Sequence, residues 1–121
     1  MGIKQISLAA LCLYATTSQC FSHTTGNQIQ NQCQNAERLF NQSQGDERDF
    51  YNSGFCTGFI DGFLDLGPLL DKQLRFCSDP EVTIEQANHV LLKYLNEHPE
   101  RTHENAYRLA LQAFKEAWPC N

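Results

Sequence analysis

The cysteines constrain this chain of 121 residues more than any other feature, because their number and spacing limit the folds open to it. Of the six, Cys12 and Cys20 lie near the N-terminus and four lie further along. Four cysteines in an exported chain of this size imply two disulfides, which can be paired in three ways. A zinc site is the alternative, but the sequence has no C-x-x-C or H-x-x-x-H spacing. The four remaining cysteines are Cys33, Cys56, Cys77 and Cys120.

The N-terminal segment has the composition of a secretory signal. Lys4 supplies a positive charge, and the run from Ile6 to Ala15 contains a single polar residue. That run is too short to span a bilayer, which takes about 20 residues. Small and polar residues follow, so we expect cleavage after Ser22, with a cut after Cys20 as the alternative. Residues 1–22 are therefore predicted to be a cleavable signal peptide and residues 23–121 the mature exported domain, either periplasmic or fully secreted. An uncleaved membrane anchor is the alternative.

The charge balance excludes one broad class of partner. Nine Lys and Arg against 14 Asp and Glu give a formal net charge of −5, and the basic residues form no cluster. A protein that binds the phosphate backbone needs the opposite balance. We therefore expect no nucleic-acid partner. Separately, we expect no membrane contact after removal of the signal.

Apolar residues recur with helical period in four segments, and no segment alternates as a strand would, which predicts an all-α, four-helix domain. The first helix should end in a left-handed cap at Gly45. The second should run to Leu66, where a Gly-Pro pair ends it. Thr83 begins a capping-box pattern for the third helix, and Thr102 is the expected N-cap of the fourth.

Three glycines, Gly54, Gly58 and Gly62, are spaced four residues apart inside the second predicted helix. Each costs about 1 kcal/mol relative to alanine in a helix interior, so three in register need a reason. They share one face, where another helix or chain could approach closely, and we interpret them as helix-packing residues. The neighbouring aromatic stripe is interpreted as core and comprises Phe55, Phe59, Phe63 and Leu66.

The predicted layout favours one disulfide pairing. If the first two helices form an antiparallel hairpin about Gly45, Cys33 lies 12 residues before the turn and Cys56 lies 11 after it, so they are level. The turn between the third and fourth helices likewise places Cys77 level with Cys120. We predict the bridges Cys33–Cys56 and Cys77–Cys120.

Residues that could carry catalysis are sparse. Asp61 and Asp65 lie one helical turn apart and could form a carboxylate pair, although capping, ion pairing or solvent exposure also explains them. His89, His98 and His103 accompany no serine or free cysteine in a nucleophile motif. The spaced glycines lie in a helix and not after a strand, so no phosphate loop is predicted. We expect no enzymatic activity, cofactor or metal; a small secreted enzyme using the two aspartates is the least favoured alternative.

Several short blocks resemble the Rap/Tai family of type VI secretion immunity proteins. The first block is Cys56–Gly62, and together the blocks cover roughly residues 50–121. This chain departs from the family at Ser78–Glu81, where members usually have a shorter stretch with glycine before the valine. The further blocks are Phe76-Cys77, Val82-Thr83, Tyr94-Leu95, His98-Pro99-Glu100, Ala113-Phe114 and Ala117-Trp118-Pro119-Cys120.

The resemblance implies an all-helical periplasmic protein, often a homodimer, that binds and inhibits a cognate peptidoglycan amidase effector. In characterised members a protruding loop or helix end enters the amidase cleft. The family motif is mainly structural, so we predict partner contacts from topology, in the two exposed polar segments nearest the second bridge. The predicted contact residues are Asp71, Lys72, Arg75, Asp79, Glu81, Glu97, His98, Glu100, Arg101 and His103.

A different class of function fits the same sequence features. A small exported helical protein with two disulfides could serve as a periplasmic helper or an acid-stress chaperone with no toxin partner. Such a helper would bind many unfolded clients at low pH, whereas an immunity protein binds one partner tightly. Binding selectivity therefore discriminates between the two.

Overall fold

The computed structural model describes residues 23–121, so the predicted signal peptide lies outside the described residues. This part of the chain contains four α-helices and no named strand, which confirms the all-α prediction. None of these helices is long and apolar enough to cross a membrane. The α-helices are α1 (Gly26–Gln42), α2 (Glu47–Leu66), α3 (Ile84–Glu97) and α4 (Ala106–Ala117), with short 3-10 turns at Gly67–Leu69 and Pro99–Arg101.

Helix α1 begins at a reciprocal capping box, in which Thr25 accepts from the Gln28 backbone amide and the Gln28 side chain accepts from the Thr25 amide. It ends at Ser43, which is left-handed (φ 53°), and not at Gly45 as predicted. Gly45 serves a different purpose: a Cβ there would lie 2.7 Å from Leu39 Cδ2. A glycine is needed at that position for close approach and not for a positive φ.

The first disulfide joins α1 to α2 as predicted. Cys33 and Cys56 have a Cα–Cα distance of 5.1 Å, and both are fully buried. Asn88 of α3, also fully buried, donates from Nδ2 to the carbonyl of Cys33 at 3.2 Å. Its Oδ1 lies 3.3 Å from Cys56 Sγ, a contact and not a hydrogen bond because a disulfide sulfur carries no proton. The bridge therefore sits where three helices meet.

The start of α4 differs from the sequence prediction. Asn105 and not Thr102 is its N-cap, with Oδ1 accepting from the amide of Tyr107 at 2.9 Å. Thr102 is buried and donates from Oγ1 to the Pro99 carbonyl, which closes the preceding 3-10 turn. The third helix, in contrast, begins at Thr83 with the predicted capping box.

The connection from α2 to α3 is fixed at its middle. Cys77 pairs with Cys120 beyond the end of α4, as predicted, at a Cα–Cα distance of 5.0 Å. The preceding residue, Phe76, is fully buried, and its ring centroid lies 5.4 Å from that of Phe114. Phe76 thus anchors the connection in the core, next to the disulfide that joins it to the end of the chain.

The core is formed mainly by α1, α3 and α4, whereas α2 contributes only Cys56 and Ile60 as fully buried side chains. The aromatic stripe of α2, expected to be core, is only partly buried. Phe59 and Phe63 pack on each other and on Tyr107, at centroid distances between 5.0 and 6.0 Å. Leu66 is 55% exposed.

Candidate functional site

The segment Glu97–His103, one of the two predicted partner contacts, is organised around Arg101. Its guanidinium donates to both carboxylate oxygens of Glu104, at 2.8 and 3.0 Å, to Tyr94 Oη at 2.6 Å and to Gln112 Oε1 at 3.0 Å. These partners lie on α3, on α4 and in the turn between them. Arg101 therefore ties the framework of the turn together, and its donors are engaged within the chain.

The ionisation of this network follows from the same contacts. The hydrogen bonds from Arg101 hold the pKa of Glu104 below its usual value. The Glu104 carboxylate in turn raises the pKa of Arg101. Burial raises the pKa of the Tyr94 phenol, which is only 5% exposed. Near neutral pH the turn thus holds a charged Arg–Glu pair beside a protonated tyrosine.

The other predicted contacts of this turn face outward. Glu97, Glu100 and His103 are exposed, and His98 is half-buried with its ring centroid 4.4 Å from that of Tyr94. His98 Nδ1 lies 3.4 Å from Glu100 Oε1. Arg101 is held in the network described above. The remaining exposed side chains of the turn therefore form an acidic surface.

The residues around the start of α1 are hydrogen-bonded to the backbone of this turn and to the first residue of α4. The Thr24 carbonyl accepts from the Ala106 amide at 2.8 Å, and the amides of Gly26 and Asn27 donate to the carbonyls of Glu104 and Thr102 at 2.9 and 2.7 Å. A Cβ at Gly26 would lie 2.7 Å from the Thr102 carbonyl oxygen, so the backbones touch. We call this arrangement the N-terminal clamp.

The segment Asp71–Glu81, the second predicted contact, is exposed but internally ordered. The Asp71 carbonyl accepts from the amides of Leu74 and Arg75, at 2.8 and 2.9 Å. Asp79 Oδ1 accepts from the Glu81 amide at 2.8 Å. All five predicted contacts of this segment, Asp71, Lys72, Arg75, Asp79 and Glu81, are exposed.

The two predicted segments lie at opposite ends of α4, contrary to the expectation that both lie near the second bridge. The connection is tied to the C-terminal end, through the Cys77 amide to the Trp118 carbonyl at 2.8 Å and through Lys115 Nζ to the Gln73 carbonyl. The Glu97–His103 turn precedes the N-terminal end. A helix of this length spans about 18 Å. The expected placement of the Glu97–His103 turn was wrong because level cysteines at one end of a helical hairpin leave its turn at the other end. Contact of either segment with a partner stays a prediction.

An open groove runs along α2. Gly54, Gly58 and Gly62 are exposed, and a Cβ added at any of them would meet no heavy atom within 4 Å. Within residues 23–121, therefore, no helix packs on them, contrary to the expectation from sequence, because α2 packs through its opposite face. Contact with a second chain stays a prediction. We call this surface the glycine groove; its walls are Phe55, Phe59, Phe63, Leu66 and Tyr107.

From the sequence, the aromatic walls of this groove were predicted to be core, and its glycines a packing face for another helix or chain. The signal was present in the stripe of glycines, but periodicity does not tell which apolar face lacks a partner. Asp61 and Asp65, the possible carboxylate pair, are both exposed on the same helix. Among the described residues no group of three or more His, Cys, Asp or Glu is placed to hold a metal ion.

The structure is thus a helical domain held by two disulfides, with ordered exposed segments and an open apolar groove. The chain belongs to the Rap1a immunity protein family, whose sequence profile matches residues 25–120. Membership indicates an immunity protein directed against a secreted effector, and such proteins are generally not enzymes. No curated protein and no solved structure matched the chain significantly.

Proposed function

We propose that this chain is a periplasmic immunity protein that binds and inhibits a cell-wall amidase delivered by type VI secretion. The family match over nearly the whole described domain carries the proposal. Two features support the compartment. The first 22 residues have the pattern of an export signal, and two disulfides persist only where the surroundings are oxidising.

The Asp71–Glu81 segment is the effector contact that we favour. It is exposed, yet Phe76 and the Cys77–Cys120 bridge anchor it, so little conformational entropy is lost on binding. Its exposed side chains include three carboxylates, those of Asp71, Asp79 and Glu81. The excess of acidic over basic residues in the chain, 14 against nine, would steer the protein toward a basic effector surface. A partner bound to the Asp71–Glu81 segment would also reach the Glu97–His103 turn only if it extended along α4.

The first experiment is growth rescue. A host making the candidate amidase in its periplasm should lyse, and co-production of this protein with its N-terminal segment should prevent lysis. The same protein without residues 1–22 should fail to protect, because it stays in the cytoplasm. Lysis that continues at equal protein levels would refute the proposal for that amidase.

The contact surface is tested separately by calorimetry with the purified amidase. A variant carrying Lys72→Ala and Glu81→Ala should bind more weakly with an unchanged thermal midpoint, because both side chains are exposed. The matched control carries Glu47→Ala and Arg48→Ala, which also removes one charge of each sign but at the far end of α2. Wild-type affinity in the first variant would refute this surface while leaving the immunity function intact.

We further propose that a second copy of the chain occupies the glycine groove, which makes the protein a homodimer. Glycines without a covering Cβ allow helix axes to approach closely, and the groove walls are aromatic. Gly58→Leu should yield a monomer by light scattering, whereas Gln34→Leu on the exposed side of α1 should not. A wild-type protein that is monomeric at high concentration would refute the dimer.

The exposed groove also keeps a second function in view, that of a periplasmic helper without a toxin partner. Its aromatic walls could bind apolar segments of unfolded clients. Such a helper should suppress aggregation of several unrelated unfolded proteins at low pH. Suppression of none, together with tight binding to one amidase, would exclude this function.

A further inference from the structure

The two disulfides differ in their access to solvent. Cys33 and Cys56 are 0% exposed and lie where α1, α2 and α3 meet. Cys77 and Cys120, in contrast, are both exposed at the surface. Thiol–disulfide exchange requires an incoming thiolate to reach a sulfur atom, so access decides which bridge can react in the folded protein.

The buried bridge is shielded by secondary structure. Reaching Cys33 or Cys56 would require α1, α2 and α3 to separate, which also breaks the hydrogen bond from Asn88 to the Cys33 carbonyl. Opening of this bridge is therefore coupled to unfolding of the helical core.

The exposed bridge can open without dismantling the fold. Cys120 follows the end of α4, so no helix has to move for it to leave. Three non-covalent contacts still hold the connection to α4: the Cys77 amide with the Trp118 carbonyl, Lys115 Nζ with the Gln73 carbonyl, and the buried ring of Phe76. Loss of the covalent tether thus loosens the connection but does not detach it.

We propose that Cys77–Cys120 is a site of thiol–disulfide exchange in the folded protein, with a dithiol as its reactant. A thiolate of the dithiol attacks one cysteine sulfur, the S–S bond breaks, and the other cysteine leaves as a thiolate that takes up a proton. The second thiol of the dithiol then attacks the mixed disulfide. The products are two cysteine thiols and the oxidised dithiol, which has supplied both electrons. Cys33–Cys56 stays closed throughout.

The test uses the whole folded domain and dithiothreitol as the dithiol. Samples are quenched with acid at intervals, the free thiols are labelled with N-ethylmaleimide, and the labelled peptides are identified by mass spectrometry. Cys77 and Cys120 should be labelled at least about tenfold faster than Cys33 and Cys56. Equal rates would show that reaction needs unfolding, and earlier labelling of Cys33 and Cys56 would show that burial does not protect them. Either result would overturn the proposal.

A denaturant series separates local exchange from global opening. Guanidinium below the unfolding transition should accelerate labelling of Cys33 and Cys56 and leave the rate at Cys77 and Cys120 unchanged. Acceleration of all four together would contradict local exchange. Hydrogen exchange gives a second readout: after partial reduction the amides of Leu74 and Arg75 should exchange faster, while those of α1 should not. Faster exchange throughout α1 would overturn the proposal.

Discussion

Gly67 and Phe76 are in direct contact: a Cβ added at Gly67 would lie 2.5 Å from Phe76 Cζ. The Phe76 ring therefore occupies the space that any other residue at position 67 would fill. Because Phe76 is fully buried, the ring has no room to withdraw. This contact joins the end of α2 to the connection one residue before the exposed disulfide, and it sets the direction in which the chain leaves the helix.

Glycine-to-alanine substitutions should have opposite effects at two positions. Gly67→Ala should destabilise the protein by about 1–3 kcal/mol, because overpacking forces the Phe76 ring or the backbone to shift. Gly58→Ala should stabilise the monomer by about 1 kcal/mol, because its Cβ meets no atom and alanine favours the helix. Guanidinium unfolding of both variants checks this. A neutral Gly67→Ala would contradict the described contact.

Asn88 should contribute more to the free energy of unfolding than most polar residues do. Asn88→Ala removes the second hydrogen bond to the Cys33 carbonyl, which also accepts within α1, and leaves a cavity in the core. Together these losses should cost about 1–3 kcal/mol in unfolding free energy. The control is Asn96→Ala on the same helix: Asn96 is exposed, and its amide oxygen accepts from Gln30 Nε2 at 2.8 Å. That variant should lose less than about 0.5 kcal/mol. Equal losses would show that burial of Asn88 has no energetic consequence.

Removing the two disulfides should have unequal effects. The entropy of loop closure alone predicts that removing either bridge lowers the free energy of unfolding by roughly 3–4 kcal/mol. The double variant Cys33→Ser with Cys56→Ser should lose more than that, because it buries two hydroxyls in the core. The double variant of Cys77 and Cys120 replaces exposed residues and carries no such penalty. Thermal unfolding compares them, and a larger loss in the exposed pair would contradict this reasoning.

The Arg101–Glu104 pair should make stability depend on pH in the acid range. Because the folded state lowers the pKa of Glu104, the pair contributes stability above the unfolded pKa of Glu104 and loses it as the pH falls through the folded pKa. Glu104→Gln should therefore be less stable than wild type near neutral pH, with the difference shrinking on acidification. Thermal midpoints measured across the acid range check the sign. Glu81→Gln, an exposed control, should follow the wild-type curve, and a difference that grew on acidification would refute the assignment.

The N-cap of α4 can be tested by two substitutions at one position. Asn105→Ala removes the acceptor for the Tyr107 amide and should cost about 1 kcal/mol. Asn105→Asp keeps an acceptor oxygen and should retain wild-type stability. Guanidinium unfolding distinguishes the two. If the alanine variant were as stable as the aspartate variant, Asn105 would not be acting as the cap.

Local signals in the sequence were sufficient for much of the fold. The capping box at Thr83 involves residues three positions apart, and the pairing of Cys33 with Cys56 follows from the geometry of one helical hairpin. The caps at Gly45 and Thr102 were wrong because tertiary contacts decide them. Gly45 is required for the approach of Leu39, and Thr102 is drawn into the preceding turn.

The candidate surfaces could be predicted less well from the sequence. Arg101 looked like a surface cation, but its partners come from three separate segments, and no spacing rule connects them. The glycine groove was visible as a stripe, yet the face of α2 that packs inward is chosen by Cys56 and Ile60, the two buried residues of that helix. Whether an apolar face of a helix is covered depends on how all the helices pack together. The residue pattern of that one helix does not determine it.

The N-terminal clamp has a consequence for the order in which the domain forms. Thr24 and Ala106 are separated by most of the described chain, so their hydrogen bond can form only once the chain through Ala106 is present. Contacts of such high sequence separation delay folding, because the loop between them must close first. Helix α1 can complete its own capping box early, but its first amides find carbonyl partners only when the two ends meet. Until the chain through Ala106 is present, the first amides of α1 lack these carbonyl partners, so we expect this end of α1 to be completed late in folding.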